Sequence, residues 1–289
     1  MTTFNIFNKA RWLVTIILLI TFAVPHAWAG IAYGTYVEAT ALEAGAHYIL
    51  TGVKNSTTYS ISNVYNASNR KSVSVTLSNG KISLASNSTA CTFTLGGSNN
   101  AWTFTADNYL NDQGNETSNC YLRATSSSNN YLGLTSDNLT NEAKWTIGSF
   151  SSGTATMVAN GDYSRKKVRF NPNGNSAAIF GAYATGTSTG TDVKFYRKAV
   201  QGVSDNTNYG TVSIAGDVIT ATPAEGYQVR TSTPYTISPA NSATVSQSGN
   251  VFTVTPTALT TITIYFEAAA PAGTTVTLSK AVTENGSFS

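Results

Sequence analysis

The residues able to do acid, base or metal chemistry are few. Of the two histidines, His26 falls in an apolar N-terminal segment, which leaves His47, at the mouth of a strand-like stretch. A single imidazole cannot assemble the histidine sets of typical zinc sites, and catalysis needs convergent groups rather than one. The two cysteines, Cys91 and Cys120, each sit in an alternating stretch, ACTFTL and CYLRAT. In an oxidising compartment they are expected to pair. The bridge would close a loop of about 30 residues and contribute roughly 3 kcal/mol. The alternative is two buried thiols acting as small hydrophobes.

Other groupings suggest contact more than catalysis. Gly186-Thr-Ser188-Thr-Gly190 spells a nucleophile elbow, but it lies in a polar GTSTGT loop with no helix behind it, where the motif has no function. Asp107, Asp112 and Glu116 place oxygens in one loop, DNYLNDQGNE, which is a candidate Ca²⁺ site although its spacing fits no EF-hand. Arg165-Lys-Lys-Val-Arg169 concentrates positive charge, with Lys167 and Arg169 on one strand face and Val168 and Phe170 on the other. Tyr109, Tyr131, Tyr163 and Tyr183 lie near Asn-rich turns, Asn130 among them. Tyrosine stacking on a sugar ring while Asn and Asp bind its hydroxyls is the physics of a carbohydrate site. The candidate ligand residues are therefore Asp107, Tyr109, Asn130, Tyr131, Tyr163, Lys167, Arg169 and Tyr183.

The elements that would hold these side chains are strands. Period-two alternation recurs, as in Ser72-Val73-Ser74-Val75, Trp102-Thr103-Phe104-Thr105 and Val193-Lys194-Phe195-Tyr196. Asn79-Gly80, Gly96-Gly97 and Ser152-Gly153 mark the turns. A strand led by an apolar residue returns at Trp102, Trp145 and Val193, a period of about 45 residues. Three such units predict an all-β fold with a β-trefoil-like domain over 30–199; a β-sandwich is the alternative. Trp102 and Trp145 are expected in the core. Gln201–Tyr209 is polar and reads as part of a 200–209 linker. Residues 210–268 read as a small β-sandwich or β-repeat domain. Residues 269–289 read as a linker and the start of an incomplete β module, so the chain is expected to be the front portion of a longer protein or a truncated gene product.

Compartment follows from the first thirty residues. Lys9 and Arg11 precede the apolar run Trp12–Val24, and Ala27-Trp28-Ala29 is a small-x-small cleavage pattern. The run is too short to span a bilayer, so a signal peptide cut after Ala29 is predicted, with no membrane span thereafter. Only 11% of the residues are charged and the formal net charge is +3. That gives no general electrostatic case for nucleic acid or anionic lipid. A hydrophobic content of 41% supports a packed core over disorder.

Two resemblances add to this reading. Residues 45–198 resemble an accessory β module of secreted Bacteroidetes proteins, through Gly45-x-x-Tyr48-Ile-Leu, Phe93-x-Leu-Gly-Gly-Ser-x-x-Ala-Trp102-Thr-Phe, Cys120-Tyr-Leu, Lys144-Trp-Thr-Ile and Val193-Lys-Phe-Tyr-Arg-Lys. Residues 208–267 are similar to divergent B-repeats of internalin-like surface proteins, through Tyr209-Gly-Thr-Val, Ile219-Thr-Ala-Thr-Pro-x-x-Gly-Tyr227 and Phe252-Thr-Val-Thr-Pro256. The resemblance implies a secreted or cell-surface, non-catalytic binding or adhesion protein. An extracellular glycan or a surface protein would be its partner, and it would act as a monomer without a resident cofactor. The other implied reading is an accessory portion of a larger secreted nuclease or hydrolase.

Overall fold

The computed structural model describes residues 32–64, 68–110, 116–117, 120–135, 139–174 and 177–270. The predicted leader with its Ala29 cleavage site and the 271–289 segment lie outside the described residues. The described chain is all-β and largely antiparallel. Three successive groups of strands build its first part. The first holds β1 (Gly34–Glu38), β2 (His47–Lys54), β3 (Thr57–Ile61), β4 (Arg70–Val75), β5 (Leu77–Ser78), β6 (Lys81–Leu84) and β7 (Phe93–Gly96). The second holds β8 (Thr103–Ala106), β9 (Tyr109–Leu110), β10 (Glu116–Thr117), β11 (Cys120–Ala124), β12 (Leu132–Thr135) and β13 (Trp145–Ile147). The third holds β14 (Thr154–Ala155), β15 (Met157–Ala159), β16 (Arg165–Asn171), β17 (Ile179–Ala184) and β18 (Val193–Lys198).

Their pairings close a ring. β2 pairs β7, and β7 pairs β8. The residue before β8 bridges to β13 through Trp102 and Trp145. β13 pairs β15, its short forerunner β14 pairs β18, and β18 returns to β2. Each group adds a hairpin outside the ring, namely β3–β4, β11–β12 and β16–β17. Alternation dictates the filling. Tyr48, Leu50, Phe93, Leu95, Phe104, Trp145, Met157 and Phe195 are essentially fully buried in one cluster. Each such side chain contributes about 1.5–3 kcal/mol of hydrophobic stabilisation. The Trp145 indole Nε1 donates to the Leu122 carbonyl at 3.0 Å, so its polar handle is satisfied. Asn79 and Gly80 both adopt positive φ in the β5–β6 turn, as an Asn-Gly hairpin requires.

β1 lies outside the ring between β18 and β6. Tyr36 there packs with Ile49, Ile82, Leu84 and Tyr196 in a small second cluster. Burial raises the Tyr36 phenol well above its ordinary pKa, helped by the charges of Asp107 and Asp217.

The second part holds β19 (Val200–Ser204), β20 (Gly210–Ala215), β21 (Val218–Pro223), β22 (Tyr227–Val229), β23 (Tyr235–Ser238), β24 (Ala243–Ser248), β25 (Val251–Pro256), β26 (Thr260–Ile264) and β27 (Phe266–Ala268). A β20-β21-β25-β24 sheet and a β19-β26-β23 sheet, with the β22–β27 ribbon, enclose Ile219, Phe252, Ile262 and Ile264. The linker expected over 200–209 is corrected here. Residues 200–204 form a strand parallel to β26, and the turn comes after it. The reason is long-range pairing, with Val200 buried in the second core. Val37 of β1 joins that same core, so the two parts share apolar contacts.

Candidate functional site

The seam between the two parts opens into a cleft of about 410 Å³, within the size range of small-ligand sites. Gly45, Ala46, His47 and Lys198 line one side, and Val200–Val203 with Ile214 line the other. Local chemistry fixes the first wall. Gly45 adopts φ of +83° and donates its N–H to the Leu95 carbonyl, which turns the chain into β2. His47 then pairs across to Thr94.

Behind His47 stands Asp107. Its N–H binds the Thr92 carbonyl, which places the side chain beside β7. The carboxylate accepts from Thr94 Oγ1 at 2.5 Å, from Thr92 Oγ1 at 2.7 Å and from His47 Nδ1 at 3.0 Å. With Nδ1 donating, the opposite ring nitrogen, Nε2, is left as an acceptor, and no described residue bonds to it. Lys198, opposite Tyr36 at the end of β18, completes this wall. Burial lowers its pKa, opposed only in part by the carboxylates of Asp217 and Asp107. Across the seam, Asp217 accepts from the Thr35 amide at 3.0 and 3.1 Å and from its hydroxyl at 2.7 Å.

β19 supplies the far wall because it is an edge strand of its sheet. Val203 is 42% exposed, an apolar surface open to the cleft. The arrangement offers a hydroxyl or carboxyl ligand one ammonium and one ring nitrogen over an apolar floor.

The residues expected to bind ligand distribute differently. Asp107 stands behind His47 and faces protein donors; its oxygens are engaged by Thr92, Thr94 and His47. Asp112 and the side chain of Glu116 lie outside the described residues, and among the described residues no cluster of three or more acidic, His or Cys groups forms. Tyr109 is buried, with the Arg70 guanidinium 5.3 Å from its ring centroid. Tyr163 packs against the main core. Tyr131 is half-buried, and its carbonyl accepts from the Thr125 N–H.

Asn130, Lys167, Arg169 and Tyr183 do come together. Cross-strand register sets Lys167 opposite Tyr183 and Arg169 opposite Gly181, with the Asn130 carbonyl close above Gly181. Lys167 and Arg169 both pair with Asp192, at 2.9 and 3.0 Å. Arg169 also donates to the carbonyls of Thr189 and Gly190. The Tyr183 hydroxyl accepts from Asn171 Nδ2 at 3.0 Å. These contacts pin the 186–192 loop over the hairpin, so the basic run clamps a loop and is not an open anion patch. That loop carries the GTSTG letters.

The expected disulfide is likewise corrected. Cys91 and Cys120 are both buried and no disulfide joins them. β8 lies between the Cys120 strand and β7, which the Cys91 segment leads into, since Cys120 pairs Ala106 and Ala106 pairs Phe93. Burial pushes the Cys91 thiol pKa well up, so it stays protonated and behaves as a small apolar group.

Fold and cleft define an all-β chain of two joined modules. No family model matches the sequence, and no curated protein matches it. Among solved structures, similarity is found to β-rich neighbours. One is the crystal structure of the lysenin pore, at 9% identity and a TM-score of 0.33, covering 57% of this chain and 47% of that one. This chain therefore spans about half the length of that neighbour. Another is a salivary protein from Culex quiquefasciatus of the Cysteine and Tryptophan-Rich family, at 13% identity and a TM-score of 0.31, covering 54% of this chain and 96% of that one.

Proposed function

We propose that this chain is a secreted, non-catalytic binding protein of the cell exterior, and that the cleft between its modules takes a glycan. We read residues 34–198 as a β-trefoil, because three successive strand groups each add one hairpin outside a single closed ring of pairings, as in that fold. Residues 200–268 serve as the surface-repeat module. The observation that carries the reading is the cleft itself: polar His47 and Lys198 face apolar Val203 and Ile214 across a ligand-sized space. A pyranose presents the matching combination, an apolar ring face and a hydroxylated rim. His47 and Asp107 form an orienting pair, and here His47 Nε2 receives a ligand hydroxyl.

A glycan array of the whole chain tests this, with Val203→Trp as the variant that fills the cleft. Binding that disappears in the variant, with the melting curve unchanged, supports the reading. Binding that persists at full strength in the filled cleft, or no binding by the parent chain, rejects it.

A further inference from the structure

We propose that the cleft selects an acidic saccharide, one whose ring carries a carboxylate beside free hydroxyls; this rests on the cleft being the glycan site. Lys198 and His47 are the ionisable side chains among its lining residues. Among the described residues, no acceptor hydrogen-bonds the Lys198 Nζ and no carboxylate pairs with it within ion-pair distance. The Lys198 ammonium is thus half-buried in the cleft wall with no protein counter-charge in contact, and a partly desolvated cation favours an anionic partner.

The nearby carboxylates do not meet this need. Asp217 is spent on the amide and hydroxyl of Thr35. Asp107 is spent on Thr92, Thr94 and His47. Burial outweighs both of their charges at Lys198, so neither neutralises it. A ligand carboxylate is the group that would. His47 imposes the second requirement. Its Nδ1 is held by Asp107, so Nε2 accepts and calls for a ligand hydroxyl. A neutral sugar can meet both groups through hydroxyls but leaves the ammonium charge without a counter-charge, and a simple fatty acid meets only the ammonium. A hydroxy acid with an apolar ring face satisfies both and covers Val203.

The test uses the full chain and a matched pair of probes, a uronic-acid oligosaccharide and its carboxyl-reduced neutral counterpart, titrated calorimetrically. One hydrogen bond to a charged partner corresponds to a preference of about 10-fold or more for the acidic probe at low salt. Raising ionic strength to about 0.5 M should narrow the gap. Lys198→Met should erase the preference between the two probes without lowering the thermal midpoint; Lys198→Arg should restore part of it. Equal affinity for both probes, or a preference surviving in Lys198→Met, overturns the inference. If both probes bind equally and Val203→Trp abolishes both, the cleft reading stands while the acidic preference falls. Binding of neither probe sinks both.

Discussion

Removing the Asp217 carboxylate should weaken the whole two-module unit. Asp217 is the polar clasp of the seam, accepting from the Thr35 N–H and from the Thr35 hydroxyl at 2.7 Å. Thr35 is only 9% exposed, so water cannot easily replace the lost acceptor. Hydrogen bonds to a charged group stabilise by about 1.5–3 kcal/mol each, and an orphaned buried donor adds its desolvation penalty. For two donors, with partial relaxation, Asp217→Ala should cost about 3 kcal/mol. For a unit of this size that corresponds to about 6–12 °C in thermal midpoint. Asp217→Asn keeps one carbonyl oxygen and should lose about half as much. Gly34→Ala offers an independent check, because a Cβ there would sit 2.7 Å from Asp217 Oδ1 on a backbone with φ of +113°. Calorimetry of the three variants beside the parent measures all of this. A midpoint for Asp217→Ala within a degree of the parent's would refute the clasp. So would two separate transitions in the parent, because modules that share Val37 and this clasp should unfold together.

Three further outcomes are expected. Neither Cys91 nor Cys120 should react with a thiol reagent in the native chain, both should react after denaturation, and reductant should leave the melt unchanged; native labelling or a reductant-sensitive midpoint contradicts the buried-thiol assignment. Burial raises the Tyr36 and Tyr48 phenols, so the folded state holds protons that the unfolded chain releases. Stability from these groups is then complete below about pH 10 and lost as pH climbs above it; ultraviolet titration should show both ionising only as the chain unfolds, and ionisation in an intact fold would count against the packing. Burial lowers the Lys198 pKa, so the unfolded chain binds the extra proton and the penalty applies at neutral pH, fading as pH rises toward the ordinary lysine range. Lys198→Met should therefore raise the midpoint at pH 7, with a smaller gain at pH 10; a lowered midpoint at pH 7 would show Lys198 to be structural.

Much of the fold was legible because one face of each strand is dry. Val168 and Phe170 are fully buried, as their spacing demands, and Trp145 anchors the ring where the repeat placed it. Where long-range partners decide, local pattern fails. Val200-Gln-Gly-Val-Ser reads as linker because its strand character comes from β26, some sixty positions away. The cysteines sit in two alternating stretches that look suited to bridging, and only the pairing order reveals β8 between them. Tyrosines near Asn-rich turns look exposed, yet Tyr183 is 4% exposed, with its hydroxyl accepting from Asn171 across the hairpin.

The cleft was less legible still, for a physical reason. No two of its polar groups are neighbours in sequence. His47 opens β2, Asp107 follows β8 and Lys198 ends β18; the ring brings these three strands to one end, and the second module then roofs them. Asp107 was singled out for its oxygens, but its use is to turn an imidazole, and that appears only when Thr92, Thr94 and His47 are seen around it. Lys198 carries no local signal at all, being one more polar residue on an alternating strand. What distinguishes it is partial burial with no bonded acceptor among the described residues, at the place where the two modules meet. A fold stabilised by that contact alone would favour an apolar residue at this position.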